Sequence, residues 1–113
     1  MAFQEKKTDS CCDLDLKALL LPKLFQALCD PTRIAILCEL LKSHAPQSVG
    51  TVAAACPIDV SVVSRHLSVL RDAGILSREK RGKEAFYRVE AAGLADTLRS
   101  IADALERMAK AST

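Results

Sequence analysis

Cysteine and basic residues are the parts of this 113-residue chain whose types and spacing could do chemistry. Cys11 and Cys12 are neighbours in a polar stretch, and two thiolates on a flexible arm can chelate a soft ion. They can equally be redox bystanders. Cys38 falls at helical spacing with Ile34, Leu37 and Leu41, which reads as core, and Cys29 reads as structural. Cys56, directly before Pro57, has the position of a small helix-end residue that can be buried. Five is an odd number in a chain long enough to fold without staples. It argues against an exported disulfide scaffold and for free thiols in a reducing, cytoplasmic setting.

The basic residues are unevenly placed. Between Ser61 and Arg88 lie Arg65, Arg71, Arg78, Lys80, Arg81, Lys83 and Arg88, against Asp72, Glu79 and Glu84. Seven cations less three anions leave +4 there, while nine less eleven leave −2 elsewhere, so the net +2 conceals a polar distribution.

Helices and a hairpin must position these groups. Residues 1–15 form a flexible polar arm carrying Cys11 and Cys12, and a domain follows over 16–111. Leu16, Leu19, Leu20, Leu24, Phe25 and Leu28 mark a first helix, which either starts at Leu21-Pro22 or is kinked there. Asp30-Pro31 predicts a cap and first turn for a second helix, Thr32 to about Ser43, and 44–48 reads as loop. A short helix fits Gly50 to Cys56. Asp59 can cap a fourth from Val60 to Ala73, stopped by Gly74, with Val63, Leu67 and Leu70 inward. Two strands, Ile75–Lys80 and Glu84–Val89, flank a turn in which Gly82 takes positive φ. Leu94, Leu98, Ile101, Leu105 and Met108 repeat every four and three residues along Ala91–Ala111, a seam for packing against another helix.

The order α-α-α-α-β-β-α, mainly helical with a β-hairpin wing, describes a winged helix-turn-helix. Its reading helix turns Ser61, Ser64 and Arg65 to solvent, where Arg65 suits guanine edges and the serines suit bases or phosphates. His66 follows within reach of backbone or phosphate. Arg78, Lys80, Arg81 and Lys83 would hold the wing to phosphates of double-stranded DNA. The four aromatic residues, Phe3, Phe25, Phe86 and Tyr87, are too few for a single-strand stacking platform. Half the residues are apolar, yet no run approaches the roughly 20 needed to span a bilayer. The polar start is unlike a secretory signal, so no membrane partner is expected. Nor does the chain show a Gly-rich phosphate loop, a nucleophile elbow or a carboxylate pair, so an enzyme is not expected.

The segment Leu28–Leu37, LCDPTRIAIL, resembles the L-x-D-P-T-R-x-x-I-L signature of the ArsR/SmtB repressors. The segment Ser61–Leu76, SVVSRHLSVLRDAGIL, resembles the recognition helix and first wing strand of that family, and Gly82–Tyr87 its wing return. The resemblance extends over about residues 16–110. It implies a homodimeric repressor of operator DNA, paired through its first and last helices. Leu16, Leu20, Leu94, Leu98, Ile101, Leu105 and Met108 would then lie at the interface, and Ser61, Ser64 and Arg65 where base contacts fall.

The resemblance also frames what would be sensed. Family members with a zinc-type site carry histidine on the last helix; here the two histidines are His44 and His66. The Cys-x-Cys arsenic motif would fall near Ser48 and Gly50, and the second cysteine of a persulfide pair is missing from the last helix. Some arsenite-responsive members resemble what remains, with a vicinal pair from one subunit and a third thiolate from the other. That implies Cys11, Cys12 and Cys56 as a three-sulfur site for As(III) or Sb(III), with Hg(II), Cd(II) or thiol oxidation as the alternative, and no organic cofactor.

Overall fold

The structure, a computed structural model, describes residues 21–111. These include helices α1 (Pro22–Leu28) and α2 (Pro31–Lys42), strand β1 (Gln47–Ser48), and helices α3 (Val49–Ala55) and α4 (Val60–Asp72). Strands β2 (Leu76–Arg81) and β3 (Glu84–Val89) and helix α5 (Ala91–Ala111) complete the order. There are two compact units, Pro22–Ala91 and a second that takes in α5 from Ala92. The expectations for Cys11, Cys12, Leu16 and Leu20 lie outside the described residues.

In the Pro22–Ala91 unit, local chemistry sets where each helix starts and stops. Pro22 opens α1, the first-turn position where its missing N–H costs nothing. Asp30 caps α2, its carboxylate accepting from the backbone N–H groups of Thr32 at 2.8 Å and Arg33 at 3.2 Å. α4 ends in a Schellman motif. Gly74 N–H donates to the Arg71 carbonyl and Ile75 N–H to that of Leu70, with Gly74 at φ +83°.

The core lies beneath α4. Val63, Leu67 and Leu70 are each fully buried, joined by Ile36 of α2, Val52 of α3 and Ile75. Burial of one such side chain contributes about 1.5–3 kcal/mol. The sheet runs β1-β3-β2, all antiparallel, and Tyr87 of β3 is buried with Leu76 of β2. The turn is two residues long, Gly82-Lys83, with Gly82 at φ +65°.

Three expectations need correction. Residues 47–48 are not loop but the short strand β1, paired with Tyr87 and Phe86. Cys38 is exposed rather than core, together with Ile34 and Leu41, because the face of α2 that turns inward carries Ile36, Leu37 and Leu40. Asp59 stands at the N-cap of α4 but makes no side-chain cap bond. On α5, Ile101 is buried along with Ala104, while Leu98 and Leu105 are 42% and 51% exposed.

Candidate nucleic-acid interface

α3 and α4 are bent by 112° at the break between them, the angle of a helix-turn-helix pair. With Val63, Leu67 and Leu70 sealed below, the helical period leaves Ser61, Ser64, Arg65 and Ser68 exposed on the opposite side. Three of these are the predicted reading residues. Ser61 is further defined by its partner: its hydroxyl donates to Asp59 Oδ2 at 3.0 Å. The serine proton is thereby engaged, so Asp59 and Ser61 together offer only acceptors at the start of the reading helix. In a major groove, such a pair suits the amino groups of cytosine or adenine.

His66 sits differently from its neighbours. It is half-buried, and its Nδ1 lies 3.2 Å from Arg33 Nη1. The histidine read as reaching for backbone or phosphate therefore turns one ring nitrogen into the protein. Sequence spacing gives no signal for this contact, since 33 positions separate the two residues.

Strand alternation divides the wing cations. Register places Arg78 opposite Tyr87 and Lys80 opposite Ala85, on the sheet face that buries Leu76 and Tyr87. Ser77, Glu79 and Arg81 lie on the other face with Arg88, Phe86 and Glu84. Arg81 is held there, its guanidinium 3.3 Å from Glu79 Oε1 and 4.8 Å from the Phe86 ring centre. Lys83 is at the exposed turn. Arg78 and Lys80 thus share the face of the sheet turned to the helices, whereas Arg81 braces the hairpin from behind. A cleft of about 220 Å³ at the hairpin is lined by Pro46, Ser77, Phe86, two arginines (Arg78, Arg88) and two glutamates (Glu79, Glu90), so its charges balance.

Of the cysteines expected to bind a soft ion, only Cys56 is among the described residues. It forms the C-cap of α3, next to the turn leading to α4, and is partly exposed. Burial pushes its thiol pKa up, Glu39 adds to the shift, and Lys42 opposes it. Among the described residues, no three His, Cys, Asp or Glu side chains group closely enough to hold a metal. No single described helix is long and apolar enough to cross a membrane.

Comparison with known proteins places this geometry. Residues 28–79 match the family model described as a helix-turn-helix domain. The chain is 36% identical over 67 residues to the HTH-type transcriptional repressor SmtB of Mycobacterium tuberculosis, covering 59% of this chain and 48% of that protein. The chain thus spans about half the length of that relative. It is 31% identical over 100 residues to the biofilm growth-associated repressor of Xylella fastidiosa, covering 86% of each. Among solved structures, an ArsR-like transcriptional regulator from Rhodococcus sp. RHA1 superposes with a TM-score of 0.67 at 32% identity, covering 88% of this chain and 92% of that one. A possible transcriptional regulator for arsenical resistance superposes at 0.61, also 32% identical, covering 83% and 99%.

Proposed function

This chain belongs to the ArsR/SmtB family of winged helix-turn-helix regulators, DNA-binding proteins that are not enzymes; from that premise we propose that it is a homodimeric repressor whose hold on operator DNA is released by As(III) or Sb(III). The observation that carries the DNA half is the exposed face of α4. Ser61, Ser64 and Arg65 stand there over a sealed apolar side, with Arg78, Lys80 and Lys83 on the adjoining wing. Arg65 reads base edges, and the wing cations neutralise phosphates and set register.

Exposure on α5 supports the homodimer. Leu98 and Leu105 are two members of the heptad seam, and a second copy of the same helix would bury both. The sensing half is supported by donor chemistry and by position. Cys56 is a partly exposed thiol at the hinge of the helix-turn-helix, where a bond to Cys11 and Cys12 of the partner subunit would pull on the reading helix. Three thiolates form a soft, pyramidal donor set for a trivalent metalloid. A relative of known fold, 32% identical over most of both chains, is described as a possible transcriptional regulator for arsenical resistance.

Release requires the ion to favour the free dimer over the bound one. Moving occupancy from 99:1 to 1:99 takes about 5.5 kcal/mol, which two sites per dimer can supply jointly. The test is a duplex-binding titration under reducing conditions with As(III), Sb(III), Hg(II) and Cd(II). Binding should weaken steeply with salt and be released by the trivalent ions. Cys12→Ser should bind the same duplex and ignore them. A Cys12→Ser protein that still lets go on As(III) would remove the three-sulfur site, and release by peroxide in metal-free buffer would replace it with thiol oxidation.

A further inference from the structure

Arg33 closes the Asp-Pro-Thr-Arg signature that begins α2, but its side chain works outside that helix. The side chain is 15% exposed. Its Nε donates to the Ala27 carbonyl at 2.9 Å and its Nη2 to the Gln26 carbonyl at 3.0 Å, both in the last turn of α1. There the outward-facing carbonyls and the negative end of the helix dipole favour a cation. Nη1 faces His66 Nδ1 at 3.2 Å and lies 3.8 Å from Asp30 Oδ2. One planar group therefore joins α1, the start of α2 and the middle of α4.

The chemistry fixes more than distance. A guanidinium has donors and no acceptor, so His66 Nδ1 must accept. In this contact Nδ1 is the acceptor, which leaves Nε2 to carry the ring proton. His66 directly follows Arg65 in the chain and lies on the flank of α4 between its sealed and exposed sides.

We propose that Arg33 is a positioning residue for DNA reading: by holding His66 Nδ1 it sets the rotation of α4 about its own axis, and so the aim of Ser64 and Arg65 into the groove. The proposal rests on the DNA-binding reading of α4. The apolar packing of Val63, Leu67 and Leu70 supplies no directional bond of its own. A charge-assisted hydrogen bond on the flank supplies the missing direction.

A direct contact between His66 and phosphate would use Nε2–H instead, so the two roles employ opposite ring nitrogens. Amide side chains separate them: asparagine Oδ1 can stand where Nδ1 accepts, and glutamine Nε2 where Nε2 donates. The full-length wild-type chain is used to select a duplex from a random-core DNA pool, and each variant is titrated against it. His66→Asn is expected to bind within about threefold of wild type, and His66→Gln and His66→Leu to weaken by about five- to tenfold, the scale of one lost hydrogen bond. Nitrogen NMR of the wild type should show His66 bare at Nδ1 and protonated at Nε2, a preference that Arg33→Met abolishes. Should Arg33→Met fail to fold, the Asn–Gln pair decides alone, since it leaves the bonds from Arg33 to α1 untouched. The reverse order, with Gln bound tightly and Asn weakly, would overturn positioning in favour of a phosphate contact. Equal binding by all three His66 variants would overturn it as well. A wild-type chain that selects no duplex would remove the DNA reading itself, an outcome distinct from either.

Discussion

Asp30 and Asp59 hold the same position at the starts of two helices and do opposite work. At φ −112° and ψ 125°, Asp30 turns its carboxylate back over the first turn of α2 and takes two backbone N–H groups. Asp59, at φ −58° and ψ 138°, gives α4 no cap bond and accepts the Ser61 hydroxyl instead. A nearby serine hydroxyl competes with the backbone for a carboxylate, and at Asp59 it wins. The first aspartate is used up inside the fold. The second remains exposed at the reading end of α4, where its charge faces whatever that helix meets.

The largest effect expected from this contrast is on stability. Asp30→Ala should lower the thermal midpoint by several degrees, whereas Asp59→Ala should leave it close to wild type, in paired calorimetric scans. Acid sharpens the difference. The backbone N–H of Arg33 holds the Asp30 carboxyl below its ordinary value, assisted by that of Thr32, by the Arg33 guanidinium and by His66, while partial desolvation opposes them. With the folded-state pKa lowered, Asp30 contributes its stability above the ordinary carboxylate range of about 4. That contribution is lost as pH falls through the folded value. Unfolding followed from pH 6 downward should therefore fall more gently in Asp30→Asn than in wild type, and parallel curves would break the assignment.

The smaller effect concerns DNA. Asp59→Asn removes an anion from the reading end of α4 and should tighten binding to random-sequence duplex about two- to fivefold at low salt, an advantage that added salt erases. It should also relax any preference for cytosine or adenine at the base nearest Ser61. Unchanged affinity and unchanged base preference would place Asp59 away from the nucleic acid.

Both aspartates looked alike in the sequence, and that similarity shows what a sequence makes legible. Features decided within a few residues can be read directly. They include the Asp30-Pro31 start, the Schellman stop at Gly74, positive φ at Gly82, and the full extent of α5. The sealed side of α4 is also legible, because Val63, Leu67 and Leu70 recur at helical spacing while Val60 and Val69 stay exposed. α2 is ambiguous for the opposite reason. Ile34, Ala35, Ile36, Leu37, Cys38, Leu40 and Leu41 surround the helix with apolar surface, so periodicity allows more than one buried face. Contacts between distant residues leave no local trace at all. The Arg33–His66 bond and the pairing of Ser48 with Phe86 depend on how helices and strands are assembled, not on spacing along the chain.

The two-residue strand β1 has a consequence for the order in which the reading unit forms. β2 and β3 meet across a two-residue turn, but β1 reaches β3 only after about 40 intervening residues have been brought back, a closure with a larger entropic cost. Ser48 is also the cap of α3: its side chain accepts from Thr51 N–H at 3.2 Å and its hydroxyl meets that of Thr51 at 3.0 Å. The strand that joins last is therefore fused to the start of the helix-turn-helix. Pulsed hydrogen exchange during refolding should protect the β2–β3 ladder before the first turn of α3. The hairpin would then exist as a wing before the helices beside it acquire their final seat.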